Sequence, residues 1–256
     1  MNVRQLYQYL NENIPTSLSC EWDNDGLMCC PDPDREVHRV LIALDVTGEV
    51  ADEAVEGDFD VVVSHHPLIF KPIRSLTTDD GVGAKLMNFV RAGISVMSFH
   101  TRLDAVRNGV NDRLAEELGL IDVECFDDGD GIPLGRVGYL PESMDAQEFA
   151  LRVKNALSAP GVVLASCGKR VDRVAVVGGE GKSFISAAKR TGADTFVSGR
   201  IGYNNMVETE EMGLNLIEAG HFFTEDPVCD YLAELICSAD VNIETVYMKS
   251  CGLKLI

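Results

Sequence analysis

Residues 171–179 read VDRVAVVGG and residues 37–45 read VHRVLIALD, a match at an offset of 134 residues. The same offset lays DTFVSGR (194–200) on DVVVSHH (60–66), with Ser198 on Ser64. After a gap of 13 residues, GLNLIEAGHFFTE (213–225) follows GISVMSFHTRLD (93–104) at an offset of 121. That second offset lays His221 on His100 and Glu225 on Asp104, so each copy carries His-x-x-x-acid just after an apolar run. Short apolar runs have the length of buried strands, and they alternate with segments of helical period. The pattern predicts an α/β fold built from two similar halves by internal repeat.

HRVLIALDV reads as a strand and TGEVADEAVEG as a helix that Thr47 can cap. DVVVS is the next strand, GAKLMNFVRAG a helix, and ISVMSF a third strand. NDRLAEELGL gives a helix closing at Gly119. Between the copies, GIPLGRVGYLPESMDAQEFALRVKNALSAPGVVLAS reads as strand, loop, helix and strand, with Asp145 as cap and Phe149, Val153 and Leu157 as the apolar stripe. No Ser/Gly-rich linker interrupts the chain, so 1–256 is expected to share one body. Its expected parts are a first half over 1–124, a connector over 125–170 and a second half over 171–256.

The totals limit the function classes. A formal charge of −19 argues against nucleic acid as a partner, because phosphate backbones need clustered Lys and Arg. No run approaches the ~20 apolar residues that span a bilayer, so no membrane partner is expected. The opening MNVRQLYQYLNENIP is an amphipathic helix with Val3, Leu6, Leu10 and Ile14 on one stripe, without the apolar centre of a signal peptide. Eight scattered cysteines without a C-x-x-C pair read as thiols in a reducing cytoplasm.

Four of the five histidines, His65, His66, His100 and His221, fall at strand ends, and Asp104, Glu225 and Asp226 lie near them in sequence. In open α/β sheets the strand C-termini are where side chains converge on a ligand. Imidazoles with carboxylates suit Zn, Fe, Mn, Ni or Co, and the lack of a cysteine argues against a closed structural zinc site. Neighbours on a regular strand point to opposite faces. His65 and His66 can therefore share a site only past the last ladder hydrogen bond, where Pro67 forces the chain out. Glu225 is expected just ahead of a helix capped by Asp226, with Pro227 at its first position. His38, at the opposite end of a strand, is expected to be structural.

Two stretches mimic other motifs. VGGEGKSF ends like a P-loop, but the required first glycine falls at Val176, so a tight strand-to-helix turn is the better reading. WDNDG, around the only tryptophan, Trp22, is a turn by composition, with the rim of a pocket as the alternative.

Taken in order, WDNDGL, SHHPLIF, HTRLDA…GVND, LGRVGYLPESM, VAVVGGEG and AGHFFTE closely resemble the GTP cyclohydrolase 1 type 2 family, also called Nif-three-like. The resemblance runs from Leu6 to Ile256, and this chain has no room for the extra domain that longer relatives insert. It implies two α/β halves facing each other across a dinuclear metal site, in a toroidal homohexamer. Position by position, the implied ligands of two divalent ions are His65, His66, Asp104, His221 and Glu225. His100 matches a family histidine beside the metals and is the implied catalytic, proton-transferring group. Arg102 and Arg107 stand where relatives often have uncharged residues, and GHFFTE stands for a commoner G-H-Y/H-x-T-E.

The implied activity is that of a metal-dependent hydrolase. A metal-bridged hydroxide would attack C8 of the purine ring of GTP, a cyclic amidine C–N bond would open, and formate would leave. Arg102 or Lys182 is a charge-based candidate for meeting a phosphate. Two alternatives share the metal: an assembly or regulatory protein without nucleotide turnover, and a phosphoester hydrolase.

Overall fold

A computed structural model describes residues 1–253. Eleven strands run in chain order: β1 (Gly26–Cys29), β2 (Arg39–Ala43), β3 (Val61–Ser64), β4 (Ser95–Ser98), β5 (Ile121–Phe126), β6 (Gly135–Met144), β7 (Val163–Ala165), β8 (Val171–Glu180), β9 (Thr195–Arg200), β10 (Asn215–Glu218) and β11 (Glu244–Tyr247). They form two sheets, one ordered β1-β4-β3-β2-β11 and the other β5-β6-β8-β9-β10-β7.

The chain divides into two compact units, the first from Met1–Val106 and Cys229–Gly252, the second from Arg107–Val228 with Leu253. These limits differ from those expected at 124 and 170, and packing gives the reason. The last strand, β11, pairs in parallel with β2 and so returns to the first sheet. The connector belongs to the second, since β6 pairs antiparallel with β8 and β7 with β10. Residues 254–256 of the expected second half lie outside the described residues.

In the first unit β2, β3 and β4 are parallel. Their residues Val40, Leu41, Ile42, Val61, Val62, Val63, Val96 and Met97 are all buried. A parallel sheet covered on both faces requires such unbroken apolar runs in place of alternation. Helices Gly48–Glu56 and Gly81–Ala92 make the crossovers. Thr47 accepts from the N–H of Val50 and Asp80 from that of Gly83, which satisfies donors a helix start leaves open. The amphipathic helix spans Val3–Asn13, with Asn2 and Gln5 capping each other and Val3, Leu6, Leu10 and Ile14 buried.

The second unit repeats the parallel trio as β8, β9 and β10. Helix Ala146–Ala156, capped by Asp145, sets Phe149, Val153 and the following Leu157 into a core with Leu114, Leu118, Val174, Val176 and Ile217. Burying each large apolar side chain there contributes about 1.5–3 kcal/mol.

The repeat reaches individual hydrogen bonds. The Asp60 carboxylate accepts from the backbone N–H of His38 at 2.7 Å and of Arg39 at 3.0 Å. Asp194 accepts from Asp172 at 3.0 Å and Arg173 at 2.8 Å, each 134 residues further on. In the third strands the correspondence needs a correction. Ser64 pairs with Ser98 and Ser198 with Glu218, which sets the strands 120 residues apart. The offset of 121 begins only after Gly220, one extra residue with φ +89°. Positive φ is open to glycine without steric cost.

Candidate metal centre

The first unit brings His65, His66, His100 and Asp104 together. β3 ends at Ser64, so both His65 and His66 lie past the strand. The turn that carries them is pinned by the Ser64 hydroxyl, which donates to the carbonyl of His66 at 2.9 Å, and by the His66 N–H, which donates to Leu44 O at 2.9 Å. β4 ends at Ser98, and after it His100 directly precedes the short helix Thr101–Ala105, which carries Asp104. Parallel register places the two strand ends side by side.

Ring centroids are 4.9 Å apart for His65–His66, 5.3 Å for His65–His100 and 5.7 Å for His66–His100. One ring nitrogen from each of the three lies within 4.8 Å of the others. Asp104 Oδ1 is 3.6 Å from His65 Nε2. Each imidazole is also oriented through its other nitrogen. Nδ1 of His65 is 2.9 Å from the carbonyl of Phe99, Nδ1 of His66 is 2.8 Å from Asp45 Oδ1, and Nδ1 of His100 is 2.8 Å from Asp23 Oδ1. An oxygen at Nδ1 fixes the ring and the tautomer and raises the basicity of Nε2, as outer partners of metal-binding histidines do. His65, His66 and Asp104, with His100 beside them, form a donor set that fits a first-row divalent ion.

Asp23 and Asp25 hold this arrangement from the WDNDG turn. Asp23 Oδ2 accepts from the N–H of Thr101 at 3.0 Å and its hydroxyl at 2.6 Å. Burial alone would raise the Asp23 pKa, but hydrogen bonds from His100 and Thr101 and the charge of His100 outweigh it and hold it well below the usual carboxylate range. For His100, burial alone would lower the pKa. The Asp23 hydrogen bond and the charges of Asp104 and Asp23 overcome that and the opposing effect of His66, and the pKa is raised.

The second unit brings His221 and Glu225 together. Glu225 does not precede a helix as expected but ends the one-turn helix His221–Glu225, whose i,i+4 spacing sets His221 Nε2 2.9 Å from Glu225 Oε2. Asp226 closes this turn, and the next helix, Val228–Ala239, follows Pro227. Glycines make the seat. A Cβ at Gly179 (φ +61°) would collide with the Glu225 carboxylate, and one at Gly199 would collide with Thr224 Oγ1 and His221 Cα. Thr224 accepts from Gly179 N–H at 3.1 Å and donates to His221 O at 2.8 Å. Gly178 and Gly179 of VGGEG thus lie beside Glu225, Gly179 also beside His221, within a strand that runs on to Glu180 before the turn at Gly181.

Two other candidates fall away from phosphate contact or stay peripheral. Arg102 is wholly buried, with Nε 2.9 Å from Asp25 Oδ2, Nη1 2.6 Å from Asn11 Oδ1 and 3.0 Å from Ile14 O. Lys182 is exposed and pairs with Glu180 at 2.6 Å. His38 is exposed, 3.5 Å from Glu36.

Sequence reasoning missed Asp45 as the partner of His66. The relation comes from strand register: Ala43 pairs with Ser64, which sets Asp45 beside His66 two residues on. Sequence reasoning reads WDNDG as a turn, with a pocket rim as the alternative, and names no partner for Asp23. No disulfide joins the eight cysteines, and among the described residues no helix is long and apolar enough to cross a membrane.

Known proteins resemble the chain over its length. A Clostridium perfringens protein named GTP cyclohydrolase 1 type 2 homolog is 32% identical over 97% of both chains, and one of the same name from a Nostoc species is 36% identical over 81% of both. A crystal structure of a Staphylococcus aureus protein superposes with a TM-score of 0.89 at 26% identity, covering 100% of this chain and 99% of that one. Reduced HcgD from Methanocaldococcus jannaschii gives 0.83 at 29% identity, covering 96% and 97%. The family model Duf34/NIF3 (NGG1p interacting factor 3) matches residues 1–251, and the chain belongs to that family.

Proposed function

We propose that the chain is a divalent-metal-dependent hydrolase of the GTP cyclohydrolase 1 type 2 kind, which opens the imidazole ring of a purine nucleotide. The observation that carries this reading is the group of three imidazoles beside Asp104, each steered at Nδ1 by an oxygen. His65, His66, Asp104, His221 and Glu225 would hold two divalent ions. Bound there, the ions supply Lewis acidity and bring the pKa of water toward neutrality.

The chain's own part is positioning and proton transfer. Asp23 keeps the His100 ring in one orientation, which suits a group that must give a proton to a departing nitrogen and take one from water. Addition of water at C8 opens the ring, and a second water releases formate. The names of relatives support this reaction.

The test is formate release from GTP by zinc-loaded protein. We expect turnover that disappears in the His66→Ala, Glu225→Ala double variant. Equal rates in the two would remove the cyclohydrolase reading and leave the metal site standing. The family description as an interacting factor supports a second reading, a metal-binding assembly protein without turnover. The resemblance also supports a hexamer, for which light scattering should give six times the chain mass of 27.9 kDa.

A further inference from the structure

Trp22 and Phe70 are large aromatic side chains left 63% and 47% exposed. Their centroids are 6.3 Å apart at an interplanar angle of 72°. Each also lies 6.1 Å from the centroid of His100 and meets that ring edge-on, at 78° for Trp22 and 87° for Phe70. An exposed aromatic pair at the edge of a polar site offers π-faces on which a planar ring can stack.

The pair stands on a fixed base. Next to Trp22, the Asp23 side chain is fully buried and tied to His100 and Thr101. The Asn24 side-chain amide donates to the carbonyl of Ile69, which fastens the WDNDG turn to the segment bearing Phe70. From Phe70 to Gly81 every residue is exposed, including Lys71 and Arg74, and neither cation pairs with a carboxylate among the described residues. Lys71 follows Phe70 directly and Arg74 lies in the same exposed segment, which also carries Asp79 and Asp80.

We propose that Trp22 and Phe70 form a stacking platform for the planar heteroaromatic base of a nucleotide, with Lys71 and Arg74 meeting its phosphates. Stacking on an indole uses the π-face that every base has, so the platform holds the ring beside His100 without selecting guanine over adenine. The inference rests on the hydrolase reading for the choice of a nucleotide and does not depend on turnover.

Trp22 is the only tryptophan, so intrinsic emission of the zinc-loaded full chain reports on this position alone. Titration with GTP and with ATP should give saturable quenching, and tripolyphosphate should give none. With mant-GTP, anisotropy should show about 10- to 100-fold weaker binding for Trp22→Ala and for Phe70→Ala, as loss of one stacking partner implies. Trp22→Phe should restore most of the affinity, and zinc content should stay at the wild-type value in all three. Wild-type binding of mant-GTP by Trp22→Ala, or quenching by tripolyphosphate as deep as by GTP, would overturn the platform. Nucleotide binding without formate release would remove the hydrolase reading alone. Unchanged KM for GTP in Trp22→Ala would remove the platform alone.

Discussion

Asp23 holds Nδ1 of His100 at 2.8 Å with one carboxylate oxygen and binds Thr101 with the other. An amide cannot do both, because its nitrogen donates where an acceptor is needed. In Asp23→Asn, formate release from GTP should fall about 10- to 100-fold, the usual cost of losing such an outer partner. Zinc content by elemental analysis should stay unchanged, since the proposed ligands are intact.

Gly179 has φ +61° and lies against Glu225 and His221. Alanine there must bear about 1–2 kcal/mol for the left-handed backbone and also displace the carboxylate. Gly179→Ala should therefore lower the thermal midpoint and weaken zinc binding together in a calorimetric titration. Gly192, also at positive φ (+85°) but with open space around it, is the control: alanine there should lower the midpoint and leave zinc binding unchanged.

Arg102 is fully buried between Asp25 and the end of the first helix, with its guanidinium 4.6 Å from the centroid of Phe99. Removing it strands a carboxylate that is itself nearly buried. Arg102→Ala should cost about 3–5 kcal/mol in urea unfolding, as breaking a buried pair does.

Asp60 links stability to pH. Burial would raise its pKa, but backbone donors from His38 and Arg39 and the Arg35 guanidinium win and lower it. A lowered folded value means the stabilisation is fully present above the unfolded pKa, about 3.9, and is lost as pH falls through the folded value. Asp60→Asn should be less stable than wild type by about 1–3 kcal/mol at pH 7. Urea titrations should show that gap narrowing below pH 4.

Much of this could be read before any coordinates. The apolar runs gave the two parallel trios, because strands buried on both faces have no polar alternation to hide them. Thr47, Asp145 and Gly119 marked helix ends through local backbone chemistry. The short strands β1, β5 and β11 were not legible: β5 is largely exposed and β1 and β11 are sheet edges, so none carries a strong apolar signature. The candidate ligands stood out because imidazoles are few and sat at strand ends. Asp45 and Gly179 did not, and Arg102 stood out only as a phosphate candidate by charge, since their roles depend on register, on close backbone approach and on burial, none of which is a local property of the sequence.

Cobalt(II) substitution asks whether His65, His66, Asp104, His221 and Glu225 hold two divalent ions as proposed. Cobalt titration with visible absorption should saturate at two ions per chain in the wild type. It should fall short both in His65→Ala and in His221→Ala, with each variant still folded by circular dichroism. Saturation at two ions in either variant, or no cobalt absorption in the wild type, would contradict that proposal.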